Sequence, residues 1–209
     1  MWKTYCIATI AFVAYFQYAT AEKAAIVQLR NPDGANNVTG TVTFRKSDNG
    51  VINITGQITQ LTAGNHGFHI HNLGKIDSGC LGTGAHFNPH NVSHGAPNDT
   101  VRHVGDLGNV YADATGTANI SFTDDLIDLE GDHSIIGRAV VVHQDADDLG
   151  KGGQNDSLTT GHAGARLACG VIGILDEGET SAAPTLLAGG WYRLVIATVA
   201  SLCLYYSLL

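Results

Sequence analysis

Seven side chains that favour metal ions are scattered along this chain, and only a specific fold can bring them together. They are His69 and His71 in HGFHIH, His86 in GAHFNP, His94 in SHGAP, His103 and Asp106 in RHVGDLGN, and His143 in VVHQDADDLG. Imidazole suits copper and zinc, and a carboxylate can complete a zinc shell. Any one histidine is more often a hydrogen-bonded polar side chain than a ligand. Seven such positions together point to two adjoining metal sites rather than a local metal-binding tag.

Their spacing carries geometry. In a strand, residues i and i+2 share a face. His69 and His71 are therefore neighbours on one face of Gly67–His71, with Phe68 and Ile70 pointing the other way into a core. Alternating apolar and polar residues with β-branched enrichment, broken by Asn-Pro-Asp-Gly and Ser-Asp-Asn-Gly turns, predict strands over Ala24–Arg30, Val38–Lys46 and Val51–Gln60. Further strands are expected at His66–His71, Gly105–Ala112, Thr117–Thr123, Arg138–His143 and Ala168–Leu175. No segment has a 3.6-residue apolar period, so the fold class is all-β: eight antiparallel strands in a sandwich or barrel. Two long stretches, Asn72 to Val104 and Gln144 to Leu167, lack strand character and follow His71 and His143 directly. Long loops of this kind carry function, and both are expected to roof the site. His86, His94 and His103 fall in the first of them, and Asp106 follows just after it.

Residues 1–21 hold Lys3, an apolar run from Ile7 to Phe16 and then Ala19-Thr20-Ala21, the layout of a secretory signal peptide. A short membrane anchor is the alternative. Residues 179–209 contain small Ser181, Ala182 and Ala183, a spacer from Pro184 to Arg193 and the apolar tail Leu194–Leu209. That pattern fits a GPI-attachment signal, and a single-pass C-terminal membrane span is the alternative. Sixteen residues are short for a ~30 Å hydrocarbon core. The expected location is extracellular, on the cell surface through a lipid anchor.

With Cys6 in the signal and Cys203 in the tail, Cys80 and Cys169 remain, and two cysteines in an exported domain read as one disulfide. Two free thiols are the alternative. Sequons begin at Asn37, Asn53, Asn91, Asn98, Asn119 and Asn155, candidates for glycosylation. Asn91 and Asn98 flank His94. Residues 22–181 carry 9 basic and 19 acidic side chains, a net of −10, which argues against nucleic acid as a partner. One domain, at 22–178, accounts for the rest of the chain.

These motifs resemble those of eukaryotic Cu/Zn superoxide dismutases. HGFHIH, GAHFNP, RHVGDLGNV, GDHSIIGR, VVHQDADDLGKGG and ARLACGVIGI match in unbroken register over roughly residues 23–175. The resemblance implies an eight-stranded Greek-key barrel and an enzyme that converts superoxide to dioxygen and hydrogen peroxide. It implies copper on His69, His71, His86 and His143, and zinc on His86, His94, His103 and Asp106, with His86 bridging the two. It further implies catalytic roles for Arg166, docking the anion beside copper, and for His86, supplying a proton. Asp147 corresponds to the aspartate that joins one copper ligand to one zinc ligand, and Cys80 and Cys169 to the family disulfide. Ile136-Gly137 and Gly170–Ile174 resemble a dimer surface, so a homodimer is expected.

His66 is expected to bond backbone, and His90, His133 and His162, with no ligand counterpart, to face solvent. One departure concerns the channel mouth. Many relatives carry an acid pair and a lysine after GKGG, where this chain has only Asp156, with Thr159 in place of the lysine. Lys151 is a further candidate for local positive field. Two competing readings are a copper-delivery protein and a non-catalytic metal-binding or adhesion module. The complete ligand set, Arg166 and the lack of any CxxC favour the enzyme.

Overall fold

The alternation seen in the sequence becomes a closed ring of strands in the computed structural model, which describes residues 24–175. The expected secretory signal at 1–21 and the expected attachment signal at 179–209 lie outside the described residues. The strands are β1 (Ala24–Arg30), β2 (Thr39–Lys46), β3 (Ile52–Thr59), β4 (Gly64–His71), β5 (Asp106–Ala112), β6 (Ala118–Asp124), β7 (Ala139–His143), β8 (Arg166–Val171) and β9 (Gly173–Leu175). They run β1-β2-β3-β6-β5-β4-β7-β8 around the ring, and β1 pairs with both β2 and β8. The short β9 continues β8 past Ile172 and pairs with β1, with Ala24 opposite Leu175. Every ladder is antiparallel. The connections β3→β4 and β6→β7 each step over two strands, which makes the barrel a Greek key.

The ring has a dry interior because one face of each strand is apolar. Val27, Leu29, Val42, Phe44, Ile52, Ile54, Ile58, Phe68 and Ile70 are buried in one cluster. Phe68 meets Phe122 edge-to-face at 6.4 Å. Truncating such a side chain to alanine costs about 3–5 kcal/mol. Because Phe68 and Ile70 occupy the interior, His69 and His71 project from the opposite side of β4.

Two long loops cover that side. Residues 72–105 contain a 3-10 turn at Leu81–Thr83, and residues 144–165 contain one helical turn, α1 (Ser157–Thr160). The first loop is held by the disulfide Cys80–Cys169, with Cα atoms 5.9 Å apart, and by the buried pair of Arg102 and Asp124 at 2.6 Å. Apart from β1, strand ends shift by one or two residues from the sequence reading, the larger shifts being β4, which starts at Gly64 rather than His66, and β8, which starts at Arg166 rather than Ala168. Asp106 lies at the start of β5, within the expected strand, and the ladders include the pairs His69↔Asp106 and His143↔Arg166.

Candidate metal centre

Four elements deliver the metal-favouring side chains. His69 and His71 come from β4, and His143 from the end of β7, which pairs with β4 through His69↔Val141 and His71↔Ala139. His86 is docked beside His71 because the loop forms a strip against β4: Asn72 N–H donates to the Ala85 carbonyl at 2.9 Å and Phe87 N–H to the Ile70 carbonyl at 2.8 Å. His94 and His103 come from the same loop, and Asp106 from the start of β5. All seven are buried. Donor atoms of His69, His71, His86 and His143 lie within 4.8 Å of one another, as do those of His86, His94, His103 and Asp106. His86 belongs to both sets.

Hydrogen bonding decides which ring atoms are spare. The ring of His71 donates from Nδ1 to the Gly84 carbonyl at 2.8 Å, and that of His143 from Nδ1 to the Gly164 carbonyl at 3.2 Å. His69 meets the Asp147 carboxylate through Nε2 at 2.9 Å. This leaves Nδ1 of His69 and Nε2 of His71, His143 and His86 facing one another. In the second set, Nδ1 atoms of His86, His94 and His103 lie 2.9, 3.0 and 3.0 Å from the single oxygen Oδ1 of Asp106. His69 Nδ1 and His86 Nε2 are buried without any hydrogen-bond partner, and His94 Nδ1 has only the Asp106 carboxylate beside it, at 3.0 Å. Buried polar atoms are almost always satisfied, so two orphaned nitrogens and a third facing a carboxylate, aimed into two clusters, fit bound cations. A nitrogen-only set suits copper, and three imidazoles with one carboxylate close a tetrahedral zinc shell.

The electrostatics of the metal-free protein divide the two sets. Burial drives His69 and His71 well below the ordinary imidazole value, and the neighbouring His86 adds to the effect. His143 is pushed down to about 4 by burial and then by His86. His86 is lowered by burial, which its bond to Asp106 only partly offsets. Burial also opposes charge on His94, but hydrogen bonds to Asp106 and Asp147 outweigh it and raise the group to about 9. Burial likewise works against the Asp106 carboxylate, yet bonds from His103, His86 and His94 hold it far below the usual range. The first set therefore offers neutral rings at neutral pH, while His94 holds a proton that a cation must displace.

Asp147 ties the sets together. One carboxylate oxygen meets His69 Nε2 and the other His94 Nε2, both at 2.9 Å. No sequence pattern indicates what holds Asp147 itself. Asn109 does: its amide donates to the Asp147 carbonyl at 2.9 Å and its oxygen accepts the Asp147 N–H at 2.7 Å. Arg102 plays a similar part for Asp106, donating to its carbonyl at 2.9 Å. Gly161, at φ +64°, closes over this pair, and a Cβ there would strike the Asp147 carboxylate and the His94 ring. His66 is bound to backbone, as expected, with Nδ1 donating to the His143 carbonyl at 2.8 Å.

Arg166 is half-buried beside His143. Its guanidinium donates to the Cys80 carbonyl at 2.8 Å, the Thr83 hydroxyl at 2.9 Å and the Gly84 carbonyl at 2.8 Å. Burial lowers its pKa from the usual value. Around the loops, Lys151 pairs with Asp99 at 3.2 Å, so part of its charge is balanced locally. Asp156 meets His162, which is exposed, at 2.7 Å. His90 is exposed, but His133 is half-buried and its ring lies against His90, contrary to the expectation that both simply face water.

A closed β-barrel bearing two buried, imidazole-rich sets that share one ring defines a dinuclear metalloprotein. Residues 38–172 match the copper/zinc superoxide dismutase (SODC) family model. Superoxide dismutase [Cu-Zn] A of Xenopus laevis is 57% identical over 140 residues, 67% of this chain and 92% of the relative. Superoxide dismutase [Cu-Zn] 2 of Mesembryanthemum crystallinum is 57% identical over 142 residues, 68% of this chain and 91% of the relative. The crystal structure of the clock protein EA4 superposes with a TM-score of 0.70 at 49% identity, covering 75% of this chain and 97% of that one. The chain belongs to the copper/zinc superoxide dismutase family. It is an oxidoreductase of superoxide, with copper and zinc as its cofactors.

Proposed function

We propose that His69, His71, His86 and His143 hold copper, that His86, His94, His103 and Asp106 hold zinc, and that the enzyme works outside the cell. The sharing of His86 carries this assignment: Nδ1 faces the carboxylate-containing set and the orphaned Nε2 faces the nitrogen-only set. Bound copper supplies one-electron chemistry, by which one superoxide leaves as dioxygen and a second, taking one electron and two protons, leaves as hydrogen peroxide. His86 Nε2, buried and unpartnered, would take up a proton whenever it is not bound to copper, and that proton would supply one of the two needed by the peroxide. Arg166 docks the anion. Its planar fork is fixed by four acceptors, the Cys80, Leu81 and Gly84 carbonyls and the Thr83 hydroxyl, and it stays charged because its pKa lies far above neutrality. Asp147 orients His69 and His94 through one carboxylate.

His143→Ala tests the assignment. The variant should lose most copper and nearly all superoxide consumption while keeping zinc, measured by metal analysis beside the activity assay. Normal turnover with copper retained would overturn it.

The exported setting rests on sequence. A secretory signal at 1–21, a catalytic domain at 22–178, and a GPI-attachment signal at 179–209 would place the enzyme on the outer surface. The sequon asparagines Asn37, Asn53, Asn91, Asn98, Asn119 and Asn155 are all exposed, which supports glycosylation. A glycan on Asn155 would stand beside Asp156 at the channel mouth. Enzymes of this family are a standard example of electrostatic steering. In a chain of net −10 over residues 22–181, Arg166 and the metals must supply most of the local attraction. Ile136-Gly137 and Gly170–Ile174 are proposed as a two-fold dimer contact. Val171 and Ile174 are 41% and 76% exposed there, apolar area that a second copy would cover. Light scattering should give a dimer, and a monomer at micromolar concentration would refute it.

A further inference from the structure

One histidine pair outside both buried sets is arranged as a chelate. His90 Nε2 and His133 Nε2 lie 2.7 Å apart, with ring centroids 4.9 Å apart and planes at 78°. His133 Nδ1 is bound to the Leu126 carbonyl at 2.7 Å. That bond places the His133 ring proton on Nδ1 and leaves the Nε2 lone pair aimed at His90. A ligating histidine is commonly oriented in this way, by donating its far nitrogen to a carbonyl. His90 is presented at the tip of a turn that Asn88 closes, through its side-chain amide to the Val92 carbonyl at 2.8 Å and its oxygen to the Val92 N–H at 3.1 Å. The His133 ring is thus held from behind, and the backbone that carries His90 is fixed by the turn.

We propose that His90 and His133 form a third, surface metal site, for one copper(II)-class divalent ion per chain. Without an ion, the short contact is a hydrogen bond in which His90 Nε2–H donates to His133. An ion replaces that single proton, and water completes its shell. Metal–nitrogen bonds of ~2.0–2.1 Å at a square corner need the two nitrogens about 2.9 Å apart, so the rings part by only a few tenths of an ångström. Copper(II) is favoured because it accepts such a corner and stands highest in the divalent affinity order. The ion would bridge the 72–105 loop, which carries His86, His94 and His103, to the turn at Gly131–His133 between β6 and β7. The site is independent of the buried pair of metals, since neither histidine belongs to those sets.

The test uses the full protein with both buried sites filled, titrated with copper(II) alone and followed by electron paramagnetic resonance and calorimetry. The expected result is one further copper(II) per chain with a nitrogen-ligand signal distinct from the buried copper. His90→Asn and His133→Asn should each weaken that equivalent at least tenfold, while His162→Asn, altering an exposed histidine paired with Asp156, should not. Dismutase activity of His90→Asn with buried metals intact should match the parent. Absence of the extra equivalent, or its survival in both variants, would overturn the proposal and leave the pair as a hydrogen bond.

Discussion

Arg166 stands directly across the β7–β8 ladder from His143, at the point where the register slips by one residue after Val142. A bulge bends its strand and re-aims side chains. Here it brings a copper-type ligand and a fixed cation to one spot. Arg166→Ala should keep both metals and slow superoxide consumption about 10- to 100-fold, as expected for losing a charged hydrogen bond of ~1.5–3 kcal/mol. Arg166→Glu should be slower again, more so at low salt. Equal rates for all three proteins across salt concentrations would remove Arg166 from docking.

Asp147 couples the two sets through opposite oxygens of one carboxylate. Asp147→Ala should weaken metal retention about 10–100-fold, the usual effect of losing such an orienting partner. Competition with a chelator measures it. Asn109→Ala should give a smaller loss in the same assay, because it frees only the Asp147 backbone.

Zinc uptake should be coupled to one proton. His94 is raised to about 9 in the metal-free protein, so its contribution to metal-free stability is fully present below the unfolded value near 6.5 and fades as pH rises through 9. Zinc must expel that proton. Calorimetry in buffers of different ionisation enthalpy should find about one proton released from His94 per zinc at pH 7.5 and a value falling towards zero above pH 9. His143 has the opposite sign. Its value is lowered to about 4, so the unfolded chain takes the proton first, and the metal-free domain should lose stability as pH falls from about 6.5 to 4. Denaturant midpoints across that range check it, and a flat profile would contradict it.

The disulfide and Arg166, the proposed docking residue, meet at one loop, because the Cys80 carbonyl accepts from Arg166. Cys80→Ser should cost about 4–5 kcal/mol on the chain-entropy account for a closed loop of this size. It should also lower activity of metal-loaded protein, since an acceptor of Arg166 is loosened. Unchanged turnover in a destabilised variant would separate the two roles.

The proposed lipid anchor is tested on intact cells. Phosphatidylinositol-specific phospholipase should release active enzyme. Peptides from Leu194 onward recovered from membrane-bound mature protein would identify a span instead.

Much of this molecule was legible because its patterns are local. The alternation in Ala24–Arg30 predicts β1 to the residue, and the i, i+2 spacing of His69 and His71 predicts their shared face. What could not be read depends on contacts between distant loops. Asn109 is an ordinary strand asparagine until Asp147, 38 positions on, is laid against it. Lys151 looks like free positive charge until Asp99 is beside it. His90 and His133 are two unremarkable polar residues whose meeting is set by loop paths that no periodicity encodes.

Ala24 and Leu175 face each other as paired residues, so the barrel is a ring in the chain direction as well as around its wall. Where a domain begins is then a matter of where the covalent chain happens to be cut. A short linker joining residues 24 and 175, with new ends opened in the exposed Asp48–Gly50 turn, should yield a circular permutant with the same strand order and the same seven ligands in place.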